Sequence, residues 1–245
     1  MSSSRVHVGQ ASLAGKLERY AKVFDFLEVR ASPAPPAPGR MKRLRGEAPE
    51  GFSFALVAPQ KLVELAGTDL DASLVESTRA AASALGARWL TLRTPFSVAP
   101  SSRTRTRLGR LVEALRGAAT GIAWEPRGVW TDEDAEATAA GLGVVLVRDL
   151  AEHEPPPGPV LYTRLLALGR NARIGAGIIE RVAERIEDAE EAFVIAEGRG
   201  AVGLAKQLRN VETDALADDA DDDELGDDAS DDDADDLDAD DGEDE

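Results

Sequence analysis

Short apolar runs alternate along the chain with longer segments in which apolar residues recur every three or four positions. The runs have the length and composition of buried strands. They are Arg5–Gln10, Asp25–Arg30, Phe52–Ala58, Arg88–Thr94, Gly121–Glu125, Gly143–Arg148, Val160–Leu165 and Ala192–Glu197. The segments with helical spacing are Leu13–Phe24, Asp71–Leu85, Ser101–Leu115, Thr131–Ala140, Ile178–Ile186 and Gly200–Leu208. This alternation predicts repeated βαβ units and a parallel sheet.

Eight such strands in about 210 residues predict a small α/β domain with the (β/α)8 TIM-barrel fold. An open doubly wound sheet is the alternative. Its phosphate-binding fingerprint needs three glycines after the first strand, whereas the segment Gly9–Leu13 has one. The barrel is therefore favoured. The proline-rich segment Ala31–Gly39 is expected to be an extended linker, which either covers the barrel mouth or acts as a spacer.

Charge divides the chain into two regions. The net charge is −18, but residues 211–245 contain 21 acidic residues and no basic one, which leaves 25 acidic and 28 basic residues in 1–210. An Asp-rich segment buries too little apolar surface to offset the entropy of ordering. The pattern predicts a barrel domain over 1–210 and a disordered acidic tail over 211–245. The tail could increase solubility, repel nucleic acid or bind basic partners.

The chain has no cysteine, which excludes disulfides, thiolate metal sites and cysteine nucleophiles. No run has the length of a membrane span, and the amino terminus does not resemble a signal peptide. We therefore expect a soluble cytoplasmic protein that does not contact a membrane.

Charged residues stand at or just beyond the ends of nearly all the predicted strands. In TIM barrels the carboxyl ends of the strands carry the functional site. Arginine matches carboxylate and phosphate groups in bidentate geometry, so this cluster fits either an internal ion-pair network or an anionic ligand. Glu28 and Glu125 are the candidates for general acid and base. Alternatively, each is paired with Arg127, Arg148 or Arg164 and closes the barrel top.

Other chemistry finds less support in the sequence. Glu28, Glu125 and Asp149 have the ligand type of a magnesium site, although no spacing requires a cofactor. His7 lies between two valines of the first strand, so it should face the barrel interior and need a hydrogen-bond partner there. Two separated histidines do not predict a zinc site. Arg103, Arg107 and Arg110 would share a helix face, which fits a nucleic-acid partner or a solvated surface.

Several segments resemble the YecE-like proteins, catalogued as domain of unknown function 72 (DUF72). Residues 20–29, YAKVFDFLEV, are similar to the family's "YA..F..VE.N", and residues 49–59, PEGFSFALVAP, are similar to its "P.GF.FAVKAP". Residues 124–130, WEPRGVW, resemble "EFRH.SW", and residues 162–165, YTRL, resemble "Y.RLHG". The resemblance covers about residues 5–210. It implies a TIM barrel without an established activity. The pocket residues that it implies are Glu28, Glu125, Arg127, Asp149, Tyr162 and Arg164.

The chain also departs from the family pattern. Gln10 ends the first strand without the usual aromatic residues, Leu166-Ala167 replaces His-Gly, and Ala196-Glu197-Gly198 replaces the family's aromatic-Asn-Asn segment. Three functions remain open. The barrel mouth could bind or process a small anion such as a phosphorylated sugar or a nucleotide-like molecule. The barrel could instead be a non-catalytic scaffold whose tail binds basic partners, or the protein could process nucleic acid.

Overall fold

A computed structural model describes residues 5–165, 175–196 and 200–208. The strands are β1 (Arg5–Gln10), β2 (Phe26–Arg30), β3 (Ser53–Val57), β4 (Trp89–Arg93), β5 (Gly121–Glu125), β6 (Val145–Arg148), β7 (Val160–Leu165) and β8 (Glu191–Ala196). The helices are α1 (Leu17–Tyr20), α2 (Pro38–Gly46), α3 (Gln60–Val63), α4 (Ala72–Leu85), α5 (Ser102–Leu115), α6 (Asp132–Leu142) and α7 (Ala176–Ile186). Residues 201–208 are also helical.

The eight strands form one closed barrel. Each strand pairs in parallel with the next, and β8 pairs with β1 through a register that includes Val6–Ala192 and Val8–Val194. The predicted TIM barrel is confirmed. Successive side chains of a strand point to opposite faces, so Val6 and Val8 pack outward while His7 points inward.

Aromatic rings fill the barrel interior. Phe193 contacts Phe26 edge-on at 5.1 Å between ring centroids and Trp89 at 5.4 Å. Tyr162 meets Phe26 at 5.8 Å and Trp89 at 6.0 Å. Such edge-to-face contacts are favourable for aromatic pairs. The interior is therefore a packed core rather than a channel that could hold a ligand.

Glycine makes room for this core. A Cβ on Gly9 would lie 2.1 Å from the Phe26 carbonyl oxygen, and one on Gly121 would lie 2.3 Å from the Trp89 ring. Both distances are far inside van der Waals contact. The absence of a side chain at these two strand positions is thus required by the neighbouring strand.

One helix prediction and one linker prediction were wrong. The predicted helix Leu13–Phe24 is one turn, Leu17–Tyr20. Its Tyr20 hydroxyl accepts from Gln10 N at 2.7 Å and donates to Phe26 O at 2.8 Å, which fixes the segment between β1 and β2. The predicted extended linker Ala31–Gly39 is irregular only to residue 37, because α2 begins at Pro38. Proline is well suited to the first helical position.

Two helices begin at side-chain caps. Asp71 Oδ1 accepts from Leu74 N at 3.1 Å at the start of α4, and Thr131 Oγ1 accepts from Asp134 N at 3.2 Å at the start of α6. No helix stands between β6 and β7, where residues 149–159 make the connection. None of the helices in the described part of the chain is long and apolar enough to cross a membrane. The acidic segment 211–245 lies outside the described residues.

Candidate functional site

A buried ion-pair network lies at the carboxyl ends of the strands, which we call the mouth of the barrel. Arg164 of β7 donates from Nη2 to both carboxylate oxygens of Glu28, at 2.5 and 2.6 Å, and from Nε to Glu125 Oε2 at 2.8 Å. The three residues are at most 4% exposed. Because inward positions alternate along each strand, β2, β5 and β7 all direct these side chains to one level of the barrel.

Two further side chains join this arrangement. The Tyr162 hydroxyl donates to Glu28 Oε1 at 2.6 Å, and Arg93 Nε lies 2.8 Å from Glu125 Oε2. We call Glu28, Arg93, Glu125, Tyr162 and Arg164 the mouth network. It contains two carboxylates and two guanidinium groups, so it is neutral as a unit. A buried charge is tolerated when it is paired and hydrogen-bonded in this way.

The network sets the protonation of its members. Burial would raise the pKa of Glu125, but the charges of Arg164 and Arg93 outweigh it, so the pKa of this carboxyl is lowered from its ordinary value. Burial, with the Glu28 charge second, raises the pKa of Tyr162 well above its ordinary value. At neutral pH Glu125 is therefore an ionised acceptor, and Tyr162 is a neutral donor. Oε1 of Glu125 is buried and has no hydrogen-bond partner among the described residues.

The sequence identified Arg164 as a possible partner of the two glutamates, whereas Arg148 lies elsewhere. Arg148 points outward from β6 and pairs with Glu136 Oε1 at 2.7 Å. Asp149 is not part of the mouth network: its Oδ1 accepts from Ala151 N at 3.0 Å within the turn after β6. The described residues contain no group of three or more histidines and carboxylates that could hold a metal ion.

Arg127 lies on the loop after β5, two positions beyond Glu125. Its guanidinium stacks over the Phe96 ring at 4.1 Å from the centroid. Gly128 has φ +98°, and a Cβ there would lie 2.8 Å from Phe96 O, so the loops after β4 and β5 are in close contact. Trp130 Nε1 donates to Val98 O at 2.9 Å. No ion pair or side-chain hydrogen bond of Arg127 is found within the described ranges.

Two residues at this end of the barrel were not predicted as part of the site. Arg93 stands one position before the end of the predicted strand Arg88–Thr94, and its alternation with Trp89 and Thr91 places it inside. Phe96, which is 65% exposed, carried no signal in the sequence. The predicted departures at Leu166, Ala167, Glu197 and Gly198 lie outside the described residues.

The opposite end of the barrel holds a second polar cluster. His7 Nδ1 lies 3.0 Å from Asp25 Oδ2, and its Nε2 lies 3.2 Å from Glu191 Oε1. Glu191 also pairs with Arg88. This confirms that His7 faces the interior and finds partners there. In TIM barrels such residues at the amino ends of the strands are associated with stability rather than catalysis.

The basic run on α5 is partly used for packing. Arg107 donates to Leu65 O at 2.9 Å, and Arg105 pairs with Asp134 and lies over the Trp130 ring. Arg103 and Arg110 remain exposed. The surface available to a phosphate backbone is therefore smaller than the sequence alone indicates.

Comparison with known proteins supports the fold assignment. No protein-family model matches the sequence, and neither does any curated protein. Among solved structures, a DUF72 family protein from Enterococcus faecalis superposes with a TM-score of 0.68 at 14% identity, over 85% of this chain and 95% of that chain. A DUF72 family protein from Thermotoga maritima gives a TM-score of 0.66 at 18% identity, over 84% of this chain and 99% of that chain.

A more distant barrel also superposes. The D-allulose 3-epimerase from a Methylomonas species gives a TM-score of 0.56 at 13% identity, over 89% of this chain and 99% of that chain. The two DUF72 structures thus match better than this enzyme. The chain has the TIM-barrel fold of the DUF72 family proteins, as its sequence motifs indicated.

Proposed function

We propose that this protein binds a small anionic ligand, of the phosphorylated sugar or nucleotide-like class, at the mouth of the barrel. The proposal rests on Arg127, two positions after Glu125. Its guanidinium is held over Phe96, and it has no acidic partner in the described part of the chain. A positioned guanidinium without a carboxylate is suited to bind phosphate or carboxylate oxygens.

The contacts that fix the loop around Arg127 support this role. Trp124 is fully buried, donates from Nε1 to Thr94 Oγ1 at 3.2 Å and meets Trp130 edge-on at 4.9 Å. Together with the close approach of Gly128 to Phe96, these contacts fix the loop that carries Arg127. Little conformational entropy is then lost when the guanidinium engages a ligand.

The mouth network supplies the complementary chemistry. Glu125 is ionised, and its Oε1 is an acceptor suited to a hydroxyl group of the ligand. A carboxylate with a lowered pKa is a weak base and holds no proton to donate at neutral pH, so Glu125 is suited to accept a hydrogen bond. In this proposal Arg127 binds the anion, while Glu125 orients a hydroxyl group of the ligand.

The test is a ligand screen on the full chain by thermal shift and calorimetry, with sugar phosphates, nucleotides and inorganic phosphate as probes. A ligand at about one hundred times its Kd adds about 2.7 kcal/mol, which corresponds to about 5–10 °C in Tm for a domain of this size. Arg127→Ala should remove the shift, whereas Arg110→Ala, which changes an exposed arginine of α5, should retain it. A shift that persists in Arg127→Ala, or no shift with any probe, would contradict the proposal.

A further inference from the structure

A second basic surface lies at the same end of the barrel but away from Arg127. It is a groove of about 420 Å³ between the ends of β1 and β2 and helix α2. The side chains that decide its character are Ser12, Arg30, Arg40, Arg43 and Glu47. We call it the α2 groove.

Helix α2 gives the groove its charge. Residues 38–46 contain four basic residues and no acidic one. Arg45 has a structural role, because its Nη1 donates to Phe52 O at 2.7 Å and its guanidinium lies over the Phe54 ring. Arg40, Lys42 and Arg43 are exposed, and none of them has an ion pair within the described residues. Three cations of this helix therefore face solvent.

The positive lining distinguishes the α2 groove from others on the described surface. Arg40 and Arg43 line it, while its carboxylates are Glu28, which is already bound by Arg164, and Glu47. The groove beside α7 has two arginines and three carboxylates, and the groove at the amino end of β1 has one arginine and two carboxylates. A groove along α6 has one carboxylate and no basic residue. An anionic partner of low specificity would thus prefer the α2 groove.

The chain itself contains such a partner. Residues 211–245 have 21 acidic residues and no basic one, and they include runs of two or three consecutive aspartates. The 37 residues from 209 to 245 could span about 120 Å when extended, while a folded domain of this size has a radius of gyration of only about 16 Å. The segment is therefore long enough to reach any part of the barrel surface, and its charge determines where it binds.

We propose that the acidic segment 211–245 binds the α2 groove of its own barrel. Many weak contacts between aspartates and Arg40, Lys42 and Arg43 form and exchange, without one fixed conformation. Tethering keeps the local concentration of acidic groups high, so individually weak ion pairs add to a persistent association. Added salt weakens the association, because it screens exposed charges.

Paramagnetic relaxation enhancement on the full chain tests this directly. The chain has no cysteine, so Ser230→Cys gives one attachment point for a nitroxide label in the acidic segment. At about 20 mM NaCl the amide signals of Ser12, Met41 and Arg43 should broaden at least twofold more than those of α5, and at about 0.5 M NaCl the difference should vanish.

Two charge-reversal variants give a matched pair. Arg40→Glu with Arg43→Glu should remove the selective broadening, whereas Arg103→Glu with Arg110→Glu on α5 should leave it unchanged. A dispersed amide spectrum will verify that each variant is folded. Broadening spread evenly over the surface, centred on α5 or retained in the α2 variant would overturn the proposal. Broadening that arises only when labelled and isotope-enriched chains are mixed would also overturn it, since the contact would then join two molecules.

Discussion

Removal of the Arg164 guanidinium should strongly destabilise the barrel. In Arg164→Met, Glu28 loses a bidentate partner at 2.5 and 2.6 Å, and Glu125 loses one of its two cations, while both carboxylates stay buried. Breaking a buried ion pair from one side typically costs 3–5 kcal/mol, because it leaves an uncompensated charge. Two carboxylates share this arginine, so we expect a loss of at least about 4 kcal/mol at pH 7.

The destabilisation should depend on pH with a definite sign. The pKa of Glu125 is lowered in the folded protein, so its ion pairs contribute stability above the ordinary carboxyl pKa. That contribution is lost as the pH falls through the folded pKa. In Arg164→Met, Glu125 keeps Arg93 but loses its other cation, so the pKa of this buried carboxyl should rise and it should take up a proton more readily. The difference between wild type and variant should be largest at pH 7 and shrink towards pH 5.

Urea unfolding followed by circular dichroism at several pH values measures this difference. The double variant Glu28→Gln with Arg164→Met removes one of the two buried carboxylates that have lost a cation. It should therefore recover part of the lost stability. A change within about 1 kcal/mol of wild type at pH 7, the range of an exposed pair, would refute the reasoning. So would an effect that grows as the pH is lowered.

Three further predictions follow from the fold. Gly9→Ala should lower the free energy of unfolding by about 3 kcal/mol, because overpacking against fixed backbone is costly. Its control is Gly177→Ala in α7, where a Cβ meets no atom within 4 Å, and this variant should raise the free energy of unfolding by about 0.5–1 kcal/mol. Thr131→Ala should cost about 1 kcal/mol in thermal denaturation through loss of the α6 cap, and an unchanged Tm would contradict that assignment. Burial raises the pKa of both tyrosines, so the folded protein should show no phenolate absorbance step near pH 10, and its stability should fall above that pH because only unfolded tyrosines release protons. A reversible step near pH 10 in the folded chain would argue against it.

Strand positions could be predicted because buried parallel strands have a strong local pattern. The bounds of β1, β5 and β7 coincide with those predicted from the sequence. Helix α2 could not be recognised in the same way, because Met41 is its only fully buried residue and polar side chains surround it. Its formation depends on tertiary packing, chiefly against α4, which local spacing does not encode.

The sequence predicted where the mouth network lies but not which charged side chains pair within it. Inward alternation from the strand ends brings Glu28, Glu125 and Arg164 to one level, yet the sequence left open which arginine binds which glutamate. The strand register decides this. Arg93 and Glu125 are directly opposed in the β4–β5 pair, whereas Arg148, one residue after the inward Val147, must point outward. Register is set by the whole closed barrel and not by the neighbours of one residue.

Arg164 has a consequence for how the chain folds. Its two carboxylate partners lie 136 and 39 positions earlier in the sequence, on strands that are not adjacent to β7 in the barrel. A fragment that contains only β1 to β4 would bury Glu28 without its cation, and a fragment from β5 onward would lack the acceptor that binds Arg164 most closely. The second half keeps only the Glu125–Arg164 pair, while Glu28 and Arg93 of the first half find their partners only when the two halves meet. The network thus couples the two halves into one cooperative folding unit.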